Sequence, residues 1–209
     1  KKGLLILNKL AIYGAGGHGK VVADVALLNN WKEIFFFDEN FNSIDYQYPY
    51  QVIGDLKKLL ACISNYDGVF VAIGNIEVRM KILSQLKQSN LISLIHPSSE
   101  ISEKSKIGDS SLVMPGVIVN ANTTIGRGCI LNSGSIIEHD CYIGDGVHLA
   151  PGSICCANVN IEDNSWIGAG TTIIQGVKVG KNSFIGAGSV VIKNVESGQK
   201  IVGNPASKI

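Results

Sequence analysis

Apolar residues in the second half of the chain recur with a period of six. An aliphatic residue occupies every sixth position from Ile95 to Val191, with Cys155 as the exception, and Ser, Thr, Val or Cys follows four residues after each. A period of six does not fit the 3.6-residue repeat of a helix. It fits a short strand followed by a turn, three of which close one triangular coil of about 18 residues. Glycines in the turns, as in the Ile-Gly-Asp-Gly at 143–146, supply permissive backbone geometry. The pattern predicts a parallel β-helix with an unbroken register over residues 95–196.

The residue before each aliphatic position is predicted to point outward, because neighbouring strand residues point to opposite sides. Sorted by coil, these residues form three outer faces. The first face reads Leu112, Ile130, His148, Trp166 and Phe184; the second reads Ile118, Ile136, Ile154, Thr172 and Val190; the third reads Lys106, Thr124, Tyr142, Asn160, Lys178 and Glu196. The first two are largely apolar and the third is polar. Two apolar faces that differ from one another can close a ring of subunits, so we expect a homotrimer with the third face in solvent.

Residues 9–94 alternate between strand and helix patterns. The predicted order is strand Leu10–Tyr13, a glycine-rich loop, a helix to about Asn29, strand Ile34–Asp38, a helix near Asp55–Cys62, strand Gly68–Ile73 and helix Ile76–Gln88. This order predicts a small parallel sheet in an α/β, Rossmann-like nucleotide-binding domain. We therefore divide the chain into this domain, residues 1–94, and the β-helix with its C-terminal tail, residues 95–209.

The glycine-rich loop carries the first candidate site. Gly14, Gly16, Gly17, His18, Gly19 and Lys20 follow the first strand and open the first helix, so backbone N–H groups are placed to bind phosphate oxygens. Asp38 ends the next strand, where an acid that reads a ribose or base is expected. The motif matches that of dinucleotide-binding dehydrogenases, but this domain has room for one mononucleotide-binding half. A purely structural glycine turn and a nucleotide that carries another group are the other two interpretations.

Charge and composition restrict the partners. The chain has 18 Lys and Arg against 17 Asp and Glu, with no local run of like charge, so we expect neither nucleic acid nor a membrane surface as a partner. The apolar stretch Leu4–Leu7 is too short for a signal peptide or a membrane span, which favours a cytoplasmic protein. The five cysteines have no CxxC spacing and are assigned no chemistry.

Several motifs together extend over nearly the whole chain. They are Tyr13 to Lys20, Phe36-Phe37-Asp38, Ala72-Ile73-Gly74-Asn75, Ile95-His96-Pro97, Leu131-Asn132, Glu138-His139-Asp140 and Val202-Gly203-Asn204-Pro205-Ala206. In these motifs the chain resembles the bacterial NeuD/PglD family. The resemblance implies a left-handed parallel β-helix of hexapeptide repeats, a trimer, and acetyl transfer from acetyl-CoA to a sugar. Its members N-acetylate UDP-linked 4-amino-4,6-dideoxy-N-acetylhexosamines or O-acetylate sialic acid.

The resemblance also implies roles for individual residues. His139 takes the position of the catalytic base, and Asp140 the position of the carboxylate that orients it, where the family more often has Glu. Asn132 and His148 match further substrate-binding positions, and His18, Lys20 and Asp38 match the region that holds the nucleotide. The predicted cofactor contacts are Ala157, Gln175, Ala187, Asn204 and Pro205.

Chemistry supports the same assignment, because acyl transfer from a thioester needs a base that titrates near neutrality and a donor for the oxyanion, but no metal. His139 is not at an inward position, and Ala157, one coil above it, can offer its backbone N–H. His148 and Asn132 lie on a different face from His139, so the site is expected to be shared between subunits.

A zinc site like that of β-helix carbonic anhydrases would need three converging histidines, which the spacing of His96, His139 and His148 disfavours. Both an amine and a hydroxyl acceptor need the same base, so the residues leave that choice open.

Overall fold

The computed structural model describes residues 9–43, 49–86 and 90–209, which form two compact units that divide between Leu94 and Ile95. The apolar stretch Leu4–Leu7 lies outside the described residues. None of the helices in the described part of the chain has the length and apolar character needed to cross a membrane.

The N-terminal unit is a three-stranded parallel sheet with helices. Its elements are β1 (Lys9–Tyr13), α1 (Gly17–Leu28), β2 (Glu33–Phe37), α2 (Leu56–Cys62), β3 (Gly68–Val71) and α3 (Ile76–Gln85). The strand order is β2-β1-β3, so β1 is central, and four of its five residues are buried, as expected for a parallel strand covered on both sides. The last predicted helix is shorter than expected, and residues 87–89 lie outside the described residues.

The second unit is a parallel β-helix built mainly of two-residue strands, which ends in one antiparallel pair. The first face contains β4 (Leu94–Ile95), β7 (Leu112–Val113), β10 (Ile130–Leu131), β13 (His148–Leu149), β16 (Trp166–Ile167), β19 (Phe184–Ile185), β21 (Lys200–Val202) and β22 (Ser207–Lys208). The second contains β5 (Glu100–Ile101), β8 (Ile118–Val119), β11 (Ile136–Ile137), β14 (Ile154–Cys155), β17 (Thr172–Ile173) and β20 (Val190–Val191). The third contains β6 (Lys106–Ile107), β9 (Thr124–Ile125), β12 (Tyr142–Ile143), β15 (Asn160–Ile161) and β18 (Lys178–Val179). The pairing of successive coils confirms the predicted α/β-plus-β-helix fold class and the sorting into three faces.

Hydrogen bonds between coils explain some of the Ser and Thr residues in the repeat. The Ser111 Oγ donates to the Gly126 carbonyl at 2.9 Å and accepts from the Cys129 N–H at 2.9 Å, 18 residues on. Thr123 does the same for the carbonyl of Glu138 and the N–H of Cys141. At these two positions the hydroxyl satisfies two backbone groups that would otherwise be buried without partners, whereas the Oγ atoms of Ser135 and Ser153 have no hydrogen-bond partner in the described part of the chain.

The expectation of an unbroken register to residue 196 is wrong. Val179 pairs with Val195, and the Lys178 N–H donates to the Asn194 side chain, 16 residues on rather than 18. The last coil is two residues shorter than the others, so Asn194 rather than Glu196 follows Lys178 in the stack of the third face.

The apolar faces are less open than their sequence indicates. Leu112, Ile130 and His148 of the first face are already buried in the single chain, at 0%, 1% and 7% exposure. Phe184 is 42% exposed, and Trp166 is partly exposed. The open apolar surface of the first face is therefore confined to its later coils, whereas every member of the second face is partly exposed.

Candidate active site

Two glycines of the loop after β1 are required by close backbone contacts. Gly14 has φ +114°, and a Cβ there would lie 2.6 Å from the Ala72 carbonyl oxygen. A Cβ on Gly19 would lie 2.1 Å from the Gly14 carbonyl oxygen. These contacts hold the loop against β3 and against the first turn of α1.

Gly16 and Gly17 have a different role, because a Cβ on either would meet no atom within 4 Å. Gly16 is the N-cap of α1, it supplies no side-chain cap, and the first turn contains no acidic residue. The open start of a 12-residue helix carries partial positive charge and backbone donors. This segment can accommodate an anionic group such as a phosphate.

The carboxylate of Asp38 is held beside this loop. Its Oδ2 accepts from the Ala15 N–H at 2.9 Å, and its Oδ1 accepts from the Asn40 N–H at 2.9 Å. The Tyr13 hydroxyl donates to Glu39 at 2.6 Å, and burial, followed by this bond, raises the pKa of Tyr13. Asp38 thus directly follows β2 rather than ending it, and it also fixes the conformation of the loop.

His18, in the first turn of α1, is held in a neutral state. Burial desolvates the imidazolium, and the positive charge of Arg79 adds to this effect, so the pKa of His18 falls to about 4. Its Nε2 is buried and has no hydrogen-bond partner among the described residues. At neutral pH this side chain offers an uncharged donor or acceptor rather than a cation for a phosphate.

Sequence reasoning missed Arg79, which is 1% exposed. Its Nη1 donates to the carbonyls of Ile73 and Gly74 at 2.8 and 2.9 Å, so it fixes the turn between β3 and α3. The one available signal was an arginine placed among the apolar positions of α3, near Ile82 and Leu83.

In the β-helix, His139 and Asp140 form a hydrogen-bonded pair on a corner that follows the second face. His139 Nδ1 lies 2.7 Å from Asp140 Oδ2, and the two side chains are 54% and 45% exposed. The pKa of Asp140 is lowered, first by this bond and second by a bond from the Asn122 amide. With its Nδ1–H donated to a carboxylate, a neutral imidazole presents the lone pair of Nε2 outward, which is the tautomer a general base needs.

Two of the predicted cofactor residues lie on the same corner. Asn158 N–H donates to the His139 carbonyl at 3.1 Å, and Gly176 N–H donates to the Ala157 carbonyl at 3.0 Å, so Ala157 and Gln175 follow His139 in successive coils. Among the described residues, the Ala157 N–H has no hydrogen-bond acceptor. That N–H is therefore available to an external oxygen.

Other predicted residues lie elsewhere on the β-helix. The Asn132 amide nitrogen is 3.4 Å from His148 Nε2, and the His148 ring packs against Trp166 with centroids 4.2 Å apart. Ala187 is exposed on the corner that follows this first face, away from Ala157. Asn204 and Pro205 lie in the turn between β21 and β22, where the adjacent Ala206 N–H donates to the carbonyl of Val190.

Within one chain, the β-helix residues thus form separate groups. His139, Asp140, Ala157 and Gln175 share one corner, whereas Asn132 and His148 lie together on the first face. In residues 9–43, 49–86 and 90–209, no group of three or more His, Cys, Asp or Glu is arranged to hold a metal ion.

Comparison with known proteins matches both units. Residues 9–86 match the PglD N-terminal domain, and residues 104–139, 122–157 and 158–193 match the bacterial transferase hexapeptide repeat. A curated relative, UDP-N-acetylbacillosamine N-acetyltransferase from Bacillus subtilis, is 32% identical over 114 residues. That alignment covers 50% of this chain and 50% of the relative, so the chain spans about half the length of this relative.

Solved structures match over almost the full length. The acetyltransferase domain of PglB from Neisseria gonorrhoeae, in complex with acetyl coenzyme A, is 34% identical, with 96% of this chain and 98% of that chain covered and a TM-score of 0.91. PerB from Caulobacter crescentus, in complex with CoA and GDP-perosamine, is 30% identical, with 96% and 97% covered and a TM-score of 0.88. WeeI from Acinetobacter baumannii is 32% identical, with 97% and 100% covered and a TM-score of 0.86.

An α/β domain with an open helix N-terminus, followed by a β-helix built from six-residue units, defines a hexapeptide-repeat transferase with an α/β N-terminal domain. The chain belongs to the PglD-type family of hexapeptide-repeat sugar acetyltransferases.

Proposed function

We propose that this protein transfers the acetyl group of acetyl-CoA to the 4-amino group of a UDP-linked 4-amino-4,6-dideoxy-N-acetylhexosamine, a step in bacterial glycan precursor synthesis. The observation that carries the proposal is the exposed His139–Asp140 pair, 2.7 Å apart, on a corner of the β-helix. Support comes from the names of relatives, which include a UDP-N-acetylbacillosamine N-acetyltransferase and proteins solved with acetyl coenzyme A or with CoA and GDP-perosamine. A cytoplasmic location is consistent with this donor.

In the proposed reaction, His139 Nε2 accepts a proton from the sugar amine as the amine nitrogen attacks the thioester carbonyl. The new C–N bond forms, and the carbonyl oxygen becomes an oxyanion that the Ala157 N–H stabilises. The tetrahedral intermediate then expels the CoA thiolate, which takes the proton from the imidazolium. Asp140 holds the imidazole in the tautomer that leaves Nε2 free and stabilises the transient positive charge.

The nucleotide is assigned to the N-terminal unit. The backbone N–H groups of the Gly14–Lys20 loop and the start of α1 would bind the diphosphate, and Asp38 the ribose or the base. The open space at Gly16 supports this assignment, since a side chain there would occupy the region over the helix start. One relative was solved with a GDP-sugar, so the choice of uridine over guanosine is a separate part of the proposal.

The assembly is proposed to be a homotrimer. Two features support it: the exposed Phe184 with the partly exposed Trp166, and the partly exposed second face. In a closed ring, the first face of one subunit would meet the His139 corner of the next, which would bring Asn132 and His148 to that corner and place Ala187 and the Asn204–Pro205 turn beside CoA. Sedimentation equilibrium at micromolar concentration tests this assembly, and a monomer or dimer would contradict it.

The decisive experiment offers acetyl-CoA with three acceptors: a UDP-4-amino sugar, the matching GDP-4-amino sugar and sialic acid. We expect CoA release with the UDP-4-amino sugar and a product that resists hydroxylamine, because hydroxylamine cleaves esters and leaves amides intact. A hydroxylamine-sensitive product from sialic acid would instead establish the O-acetyltransferase alternative. Turnover of the GDP-sugar alone would correct the nucleotide and keep the reaction.

A further inference from the structure

The corner that carries Asp140 repeats one backbone conformation in successive coils. Asn122, Asp140, Asn158 and Gly176 have φ values of 59°, 59°, 58° and 73°, in the left-handed region that Asn, Asp and Gly tolerate best. The conformation accounts for the residue types, since any of the three would suit each coil. It does not account for the contact between the side chains of Asn122 and Asp140, whose Nδ2 and Oδ1 lie 3.2 Å apart.

Carboxylates flank His139 on both sides, and each is bound by an asparagine one coil below. The Asn120 amide donates to Glu138 Oε2 at 2.9 Å, and the Asn122 amide donates to Asp140 Oδ1 at 3.2 Å. Of the two carboxylates, Asp140 is the one whose other oxygen contacts the imidazole, at 2.7 Å. Asn122, Asp140 and His139 therefore form a continuous chain of hydrogen bonds along the corner.

This chain solves a problem created by exposure. The terminal torsion of an aspartate is broad and nearly two-fold, so a carboxylate that is 45% exposed can rotate and exchange its partners with water. An amide bound to one oxygen fixes the plane of the carboxylate and leaves the other oxygen facing His139 Nδ1. The same bond helps to lower the pKa of Asp140, as expected of a donor bound to the anion.

We infer that Asn122 is a positioning residue for the reaction: its side-chain amide orients the Asp140 carboxylate, which in turn sets the tautomer of His139. The inference rests on the proposed role of His139 as the base. Asn122 itself is assigned no contact with substrate.

The test uses two substitutions that keep the left-handed backbone. Asn122→Asp preserves the shape of the side chain but replaces the donor with a negative charge facing Asp140 Oδ1, and Asn122→Gly removes the side chain. A hydrogen bond of about 0.5–1.5 kcal/mol corresponds to a loss of roughly two- to thirteenfold, so we expect that loss in kcat for Asn122→Gly and a larger one for Asn122→Asp. KM for both substrates should change little.

Asn182 provides the matched control. Asn182 has the same left-handed backbone, with φ 57°, but lies on a different corner. Its N–H donates to the Asp163 carbonyl at 2.9 Å, which is the type of bond that the Asp140 N–H makes to the Ala121 carbonyl at 3.0 Å. Asn182→Asp and Asn182→Gly should retain wild-type kcat. Equal losses at both corners would show that the effect at Asn122 is structural.

A spectroscopic measurement separates this inference from the proposed function. In protein with ¹⁵N-labelled imidazoles at a pH where the rings are neutral, the His139 signals, assigned with His139→Gln, should report the Nδ1–H tautomer. Asn122→Gly and Asn122→Asp should shift these signals toward a tautomer mixture, and Asn122→Gly should cause no further loss of kcat in Asp140→Asn. Unchanged nitrogen shifts with kcat within twofold of wild type would overturn the inference, whereas full activity of His139→Ala would overturn the proposed base and leave the tautomer result standing.

Discussion

The two units of the chain each present a histidine beside a charged group, and the two environments are opposites. His18 is largely buried at the start of a helix, near the guanidinium of Arg79, and its pKa falls to about 4. His139 is 54% exposed on a β-helix corner, with its Nδ1 bound to a carboxylate. The first ring is kept neutral near pH 7 by its surroundings, whereas the second is exposed and bound through Nδ1.

The difference bears on the roles that we propose for the two histidines, one in binding the nucleotide and the other in proton transfer. Burial and a neighbouring cation disfavour the imidazolium, so His18 is suited to a fixed, neutral hydrogen bond. The carboxylate on Nδ1 leaves Nε2 of His139 accessible, and for that reason we propose His139 as the base. The backbones differ as well, because the loop around His18 depends on glycines in close contact, whereas the corner around His139 depends on stacked coils.

The largest effect is expected at His139, which we propose as the general base. His139→Ala should lower kcat by about 10²–10⁴-fold with KM values little changed, because a general base acts mainly in the transition state. Steady-state kinetics measured as CoA release would show this loss. His96→Ala, which changes the other partly exposed histidine of the β-helix, is the control and should stay near wild type. Loss of activity in His148→Ala with retention in His139→Ala would mean that the two roles are reversed.

The next effect concerns the glycines of the N-terminal loop. Gly19→Ala places a Cβ 2.1 Å from the Gly14 carbonyl oxygen, so α1 must shift, and we expect the free energy of unfolding to fall by about 3 kcal/mol in urea denaturation. Gly16→Ala meets no atom within 4 Å and should be nearly neutral for stability.

A bulky residue at Gly16 separates binding from folding in the same loop. Gly16→Leu should raise KM for the nucleotide sugar and leave that for acetyl-CoA nearly unchanged, since the side chain would fill the space over the start of α1. An equal rise in both KM values would show that the loop does not act on the nucleotide alone. Tight binding of NAD(H) without binding of UDP would restore the dehydrogenase interpretation.

The pH dependence of stability tests the buried histidine. Because the folded-state pKa of His18 is lowered to about 4 from 6.5, the unfolded chain takes up the proton first as pH falls. Folding stability should therefore decrease as pH falls from about 6.5 toward 4, by about 2 kcal/mol at pH 5. His18→Gln, which cannot titrate, should lack this part of the pH dependence. A variant with the same slope as wild type would show that other groups cause it.

The smallest effect is expected at the orienting carboxylate. Asp140→Asn should lower kcat by roughly tenfold, less than His139→Ala, because an amide oxygen can still accept from Nδ1–H while its charge is lost. Asp140→Glu, the residue more usual in the resembled family, should keep more activity than Asp140→Asn. If Asp140→Asn matched His139→Ala, the carboxylate would have to contribute more than orientation.

Much of the fold follows from the sequence by itself. The period of six from Ile95 to Val191 allows a single arrangement of inward residues, because a strand-and-turn unit cannot be shifted by one residue without turning its apolar side outward. The Gly14–Lys20 loop was predicted from its glycines between a strand and a helix. The structure explains two of them, because a Cβ on Gly14 or Gly19 would collide with backbone. The pairing of His139 with Asp140 required only that both lie on one turn.

Other features were decided by the tertiary structure. The short last coil depends on which backbone groups pair across coils, and Asn194 takes the partner position that sequence spacing gave to Glu196. The neutral state of His18 depends on burial and on Arg79, 61 residues later in the chain. No local sequence pattern links these two residues. Asn122 meets Asp140 because the coils stack strand on strand, so residues 18 apart become neighbours, and the contact depends on side-chain geometry that the repeat leaves undetermined.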